Sequence, residues 1–157
     1  ISGRMESFQL KNGASVIVDY AHTSDAYTKV LSTIHQMKIP EGKMNIVFGC
    51  GGDRDTTKRS EMGRIAEQFG DRLWITPDNP RSEEINEIND QILTGISDTN
   101  HRVFEDRSIG LNAALAALNK EDILVVLGKG REAYQEIKGK KIPYSDIKII
   151  ETFIHEN

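Results

Sequence analysis

Four short stretches gather the residues that could do chemistry: Asp19-Tyr20-Ala21-His22-Thr23, Gly49-Cys50-Gly51-Gly52-Asp53-Arg54-Asp55, Pro77-Asp78-Asn79-Pro80-Arg81 and Gly128-Lys129-Gly130-Arg131-Glu132. In the second, three glycines let backbone approach a ligand closely and expose amide donors. Arg54 beside them can pair bidentately with a carboxylate or a phosphate. A tight strand-to-helix turn carrying a solvated arginine would use the same residues. In the third, Pro80 fixes the loop and sets the amide of Asn79 beside the guanidinium of Arg81, a fork suited to a carboxylate. Asp78 and Asn79 before a proline also favour a plain turn.

Gly128-Lys129-Gly130 is not a phosphate loop. That pattern needs four residues between its glycines and a Ser or Thr after the lysine, and no other stretch supplies one. Glu132 in this loop can instead balance a ligand ammonium. His22 can touch phosphate, or can hydrogen-bond the start of the helix that follows; taken alone, the second reading is the stronger. Trp74, Tyr134 and Tyr144 read as core or rim packing, because no basic groove accompanies them as a base-stacking platform needs.

The elements that must position these loops alternate along the chain. Met5 to Lys11 and Ala14 to Tyr20 flank Asn12-Gly13, which predicts a hairpin with a two-residue type I′ turn. Ala26, Val30, Leu31, Ile34 and Met37 recur at helical spacing behind the possible caps Thr23 and Ser24, and Pro40 and Gly42 end that helix. Strand 45–48, a helix with Met62, Ile65, Ala66 and Phe69, and strand 72–76 follow. A helix over 85–96, a weak strand near 102–104, a helix over 109–118, strand 123–127 and a last helix over 147–154 complete the expectation. Strands this apolar are covered on both faces, so the pattern predicts an α/β domain with a mostly parallel sheet and an antiparallel hairpin at one edge. Ligands collect beyond the carboxyl ends of such strands, where all four stretches fall.

Composition limits the alternatives. The 157 residues suit a single domain, and a net charge of -4 with dispersed basic residues argues against a nucleic-acid partner. The one cysteine, Cys50, permits no internal disulfide and suits a reducing, cytoplasmic setting. No apolar run approaches the roughly 20 residues of a membrane helix, and no leader is visible. The start at Ile1-Ser2-Gly3-Arg4, without methionine, is read as a piece cut from something longer; a removed tag would look similar.

In order, Gly3-Arg4-Met5-Glu6, Asp19 to Thr23, Gly49 to Asp55 with Lys58-Arg59, Asp78-Asn79-Pro80-Arg81-Ser82-Glu83-Glu84 and Gly128-Lys129-Gly130 resemble the carboxy-terminal domain of the Mur ligases over essentially the whole chain. The resemblance implies a Rossmann-like fold and a three-domain peptidoglycan-precursor ligase whose amino-terminal and central ATPase domains lie outside this chain. ATP with Mg²⁺ would activate the carboxylate of UDP-MurNAc-L-Ala-D-Glu as an acyl phosphate, and an incoming amino acid would attack it to form an amide. Arg54, Asp78, Asn79, Arg81, Gly128, Lys129 and Glu132 resemble the positions that hold that amino acid. Arg4, Asp19, Tyr20 and His22 resemble those that meet ATP from this side.

The Asp-Asn-Pro-Arg form is associated with meso-diaminopimelate, whose second carboxylate would meet Arg81 and Asn79 and whose far ammonium would meet Glu132. Held apart from its other domains, the chain is expected to be inactive. Three positions depart from the family's pattern. Ser24 and Ile85 replace prolines, which changes loop stiffness, and Arg131 replaces a histidine and would compete for Glu132. A folylpolyglutamate or cyanophycin type ligase, and a free-standing binding module for an amino acid or nucleotide, are the alternatives.

Overall fold

The structure is a computed structural model that describes residues 4–97 and 100–157. Gly3 of the first resembling motif lies outside them. Strands β1 (Glu6–Gln9), β2 (Ser15–Asp19), β3 (Met44–Phe48), β4 (Arg72–Ile75), β5 (His101–Val103) and β6 (Ile123–Leu127) form one sheet in the order β1-β2-β6-β3-β4-β5. All neighbours are parallel except β1, which runs against β2 with Glu6 opposite Val18.

Helices cover both faces, and alternation along each strand divides the core between them. Ile46, Phe48, Val125 and Leu127 pack with Tyr27, Leu31 and Ile34 of α1 (Ser24–His35), Met62 and Ile65 of α2 (Arg59–Phe69), and Ile88 and Ile92 of α3 (Ile85–Leu93). Val47, Trp74, Leu124 and Val126 point the other way, onto Leu111 and Leu115 of α4 (Arg107–Ala116) and Ile147 and Ile150 of α5 (Asp146–Glu156). A strand buried on both faces therefore reads as an unbroken apolar run, as Ile123-Leu124-Val125-Val126-Leu127 does. The Thr23 hydroxyl accepts from the Ala26 N–H at 3.2 Å, so the expected cap of α1 forms. Ser24 and Ile85, which stand for prolines in the family's pattern, are the first residues of α1 and α3, where proline is at home.

Two expectations need correction. The first hairpin does not turn tightly at Asn12-Gly13: Leu10 to Ala14 all lie between the paired strands, and Asn12 is not among the residues with positive φ. Its side chain is used otherwise, donating to the Leu118 carbonyl at 2.9 Å and accepting from the Ala14 N–H at 3.0 Å. The tight turn occurs instead in a second hairpin absent from the sequence reading, β7 (Tyr134–Ile137) and β8 (Lys140–Pro143). There Lys138 and Gly139 both have positive φ, 51° and 78°, as a type I′ turn requires. Helix α4 also begins two residues before Ile109, because the Asp106 side chain caps it through the Ile109 N–H at 3.0 Å.

Candidate functional site

The loops after β2, β3, β4 and β6 open on one cleft of about 590 Å³. Tyr20, His22, Arg54, Asp78, Asn79, Arg81, Gly128 and Glu132 all line it, so the parallel sheet brings most of the sequence-selected residues together. Arg4, Asp19 and Lys129 do not line it.

The glycine-rich loop is shaped by close packing on the loop after β4. A Cβ on Gly52 would fall 1.8 Å from the Pro80 carbonyl oxygen, and one on Gly49 equally close to that of Thr76. Glu83 then ties the loop to α2: it takes both Arg59 Nη atoms, at 3.0 and 2.9 Å, and its Oε2 accepts from the Asp53 N–H at 2.6 Å. Hydrogen bonds from Arg59 and from that amide hold the Glu83 carboxyl down at about 2. Arg54 is exposed and, among the described residues, donates only to the Asp53 carbonyl, at 3.0 Å, which leaves most of its guanidinium for a ligand.

Across the cleft the side chains hold one another. Lys129 is 0% exposed, and its ammonium donates to Asn79 Oδ1 (2.9 Å), Glu132 Oε1 (2.8 Å) and the Tyr134 carbonyl (2.9 Å), with Asp78 Oδ1 at 3.4 Å. Three donors are thereby committed, so Lys129 cannot present its charge to the cleft. The residue that engages Glu132 is this lysine and not Arg131, which pairs with Glu6 of β1 at 2.7 and 2.8 Å. The competition expected at Arg131 is absent because its side chain is drawn to the sheet edge. Asn79 Nδ2 also donates to Glu132 Oε1, at 3.1 Å. Among the described residues no hydrogen bond engages Glu132 Oε2.

Arg81 stands at φ 52°, in the left-handed region that a non-glycine residue rarely adopts. Its Nε donates to Glu136 Oε1 at 3.1 Å and its Nη1 to the Gly52 carbonyl at 2.8 Å, while Nη2 has no partner among the described residues. Gly128 has φ 109°, and a Cβ there would fall 2.6 Å from Asp78 Oδ2, so only glycine lets these strand ends approach.

At the other rim, Asp19 is buried and accepts from the Ala21 N–H at 2.8 Å and the Met5 N–H at 3.0 Å, one oxygen for each. It is thus a splice between β2 and β1. Tyr20 and His22 meet edge to face with ring centroids 5.0 Å apart, and His22 Nδ1 lies 3.0 Å from the Tyr20 carbonyl. His22 is exposed, and among the described residues no hydrogen bond engages its Nε2. Arg4 is exposed just before β1, whose antiparallel course brings its beginning to the same rim.

A likeness that runs along nearly all of this chain accompanies this geometry. Residues 3–130 match the family described as Mur ligase, glutamate ligase domain. The chain belongs to the Mur ligase family. Two of its relatives, from Prochlorococcus marinus and Chlorobium phaeobacteroides, are named UDP-N-acetylmuramoyl-L-alanyl-D-glutamate--2,6-diaminopimelate ligase; they are 45% and 44% identical over 98% and 99% of this chain. A solved structure bearing that name superposes with a TM-score of 0.91 at 33% identity, over 99% of this chain and 32% of that one. The chain thus spans about a third of the length of the relatives it matches, 31% for both curated ones. Escherichia coli FolC, 20% identical over 82% of this chain and 28% of its own, with a TM-score of 0.62, shares the Mur ligase fold.

Several residues that shape the site carried no sequence signal. Arg107 of α4 is wholly buried; it pairs with Asp146 at 3.0 and 2.8 Å and donates to Thr76 Oγ1 (3.1 Å), the Pro77 carbonyl (3.4 Å) and the Leu127 carbonyl (3.0 Å). It therefore ties together the strand ends from which the Asn79 and Lys129 loops leave. Burial alone would lower its affinity for a proton, but the Asp146 carboxylate outweighs that and raises it. The Tyr144 hydroxyl also donates to Asp146, at 2.6 Å. Nothing in the spacing of Arg107 and Asp146, 39 positions apart, announces the pair. Glu136 and Tyr134 were findable in principle, because Lys138-Gly139 is a plausible hairpin turn between them and β8. Among the described residues no group of three or more His, Cys, Asp or Glu is placed to hold a metal ion.

Proposed function

We propose that this chain is the amino-acid-binding domain of an ATP-dependent ligase that joins meso-diaminopimelate to UDP-MurNAc-L-Ala-D-Glu, a cytoplasmic step in peptidoglycan-precursor synthesis. The observation that carries the reading is the placement of Arg81 and Glu132 in one cleft on either side of Asn79, each with one edge tied to protein and the other left for a ligand. The far carbon of diaminopimelate bears a carboxylate and an ammonium, which suit Arg81 Nη2 with Asn79 Nδ2, and Glu132 Oε2, respectively. Lysine has the ammonium and lacks the carboxylate, so it would leave Arg81 without its anion. A site built around a polar group can reject an analogue lacking it by roughly four to five orders of magnitude.

Asp78, Gly128 and Lys129 serve this site by shaping it: Gly128 admits the close approach of Asp78, and Lys129 aims Asn79 and Glu132. Arg54 on the facing loop offers a second guanidinium for the α-carboxylate. Tyr20, His22 and Arg4 form the rim that would meet ATP, with Asp19 fixing that rim. ATP with Mg²⁺ would supply the activated acyl group from the amino-terminal and central domains of the longer enzyme. This domain contributes the amine, held in line for attack, and such positioning supplies several kcal/mol of a two-reactant barrier.

Calorimetry tests the reading on the chain itself. Meso-diaminopimelate should bind at least about tenfold more tightly than L-lysine, the least expected from one charged pair worth about 1.5–3 kcal/mol. Arg81→Ala should erase the difference. Equal affinities for the two amino acids would overturn the specificity. Mixed with ATP, UDP-MurNAc-L-Ala-D-Glu and diaminopimelate, the chain alone should release no phosphate; robust turnover would contradict the division of labour.

A further inference from the structure

We propose that Glu136, on the β7–β8 hairpin, is a specificity-determining positioning residue that aims Arg81 at the distal carboxylate of the amino acid; the inference rests on the diaminopimelate reading above. The hairpin lies beyond residues 3–130, which match the family. It nevertheless grips Arg81 three times. The Arg81 N–H donates to the Glu136 carbonyl at 2.8 Å, the Lys138 N–H donates to the Arg81 carbonyl at 2.7 Å, and the guanidinium Nε donates to Glu136 Oε1 at 3.1 Å.

The two backbone bonds hold Arg81 in its unfavourable left-handed conformation. The side-chain bond then fixes the plane of the guanidinium, because Nε is bound on one side and Nη1 is bound to the Gly52 carbonyl on another. The edge that remains, Nη2, is the one left for the cleft. Glu136 itself does not line the cleft, so it acts on a ligand only through Arg81.

Two effects of Glu136 oppose each other, and their sizes differ. Its charge competes with a ligand carboxylate for Arg81, but the side chain is 35% exposed and that competition is screened by water. Its geometry spares the ligand the cost of immobilising a long side chain. Releasing that constraint should weaken binding by about two- to tenfold.

The chain, with Glu136→Ala and Glu136→Gln, distinguishes these effects. In calorimetry, Glu136→Ala should reduce the preference for meso-diaminopimelate over L-lysine by about two- to tenfold, with lysine affinity unchanged. Glu136→Gln keeps an acceptor for Nε without the charge, and should restore the preference to the original value or above it. The Arg81 Nε–H signal in nitrogen-edited NMR should be slow to exchange in the original and Gln forms and fast in the Ala form. Lowering diaminopimelate and lysine affinity equally would reduce Glu136 to a structural part and overturn the inference. So would an unchanged preference in Glu136→Ala alongside its loss in Arg81→Ala, an outcome that leaves the diaminopimelate reading intact. If the original chain does not discriminate at all, that reading falls and the inference with it.

Discussion

The two walls of the cleft are built differently. On the side of Asn79, Arg81, Lys129 and Glu132, the side chains are held by one another, with Arg81 Nη2 and Glu132 Oε2 left over among the described residues: one buried ammonium serves three acceptors, and a strained backbone is pinned by a hairpin. On the side of Arg54, Tyr20 and His22, side chains are exposed and few bonds hold them. The contrast suits the function proposed above. Rejecting the wrong amino acid would demand groups fixed before binding, whereas the rim proposed to meet ATP could be completed by whatever closes over it.

Removing the central strut should break the comparison most severely. Lys129→Ala leaves the Asp78 and Glu132 carboxylates without their buried cation, and urea unfolding should show a loss of about 3–5 kcal/mol. Gly128→Ala comes next, at about 1–3 kcal/mol, because it forces a side chain into φ 109° against Asp78. His22→Ala and Arg54→Ala on the open wall should each stay within about 0.5 kcal/mol in the same assay. Losses as large there as at Lys129 would show that the two walls do not differ in the way described.

The tie between the walls sharpens the comparison through its pH dependence. Glu83 is held down from an ordinary 4.5 to about 2, chiefly by Arg59 and then by the Asp53 amide. A carboxylate depressed on folding stabilises the native state fully above its unfolded value, so this contribution is present above about pH 4.5 and fades as pH falls towards 2. In Glu83→Gln the acid limb of stability should flatten over that window, measured by thermal melts between pH 2 and 6. A limb as steep as in the original chain would remove Glu83 from its proposed role. The smallest effect is expected at Cys50, whose burial pushes the thiol up to about 12, so it should react slowly with alkylating reagents at pH 8 until the chain is unfolded.

How far these features could be read beforehand follows from their range in the chain. Strands such as Ile123–Leu127 and the loops after them are local patterns, and a parallel sheet places such loops on one rim whatever else happens. The gathering of Asn79, Arg81 and Glu132 was therefore legible. Which partner each one takes was not, because Lys129, Glu136 and Arg107 reach their partners through contacts the sequence does not order by spacing. Arg131 illustrates the point: its neighbour in sequence is Glu132, yet its partner is Glu6, 125 positions away. The tight turn was misplaced for a similar reason, since Asn12 spends its amide on Leu118 and leaves the left-handed geometry to Lys138 and Gly139.

The most direct test of the account is a residue-resolved titration of the isotopically labelled chain with meso-diaminopimelate, followed by backbone amide and arginine side-chain NMR signals. Shifts should concentrate at Gly51 to Arg54, Asn79 to Arg81 and Gly128 to Glu132, include the Arg81 guanidinium, and leave Arg4 unmoved. Shifts gathered instead around the far ends of α4 and α5, or an Arg81 signal indifferent to a bound ligand, would contradict it.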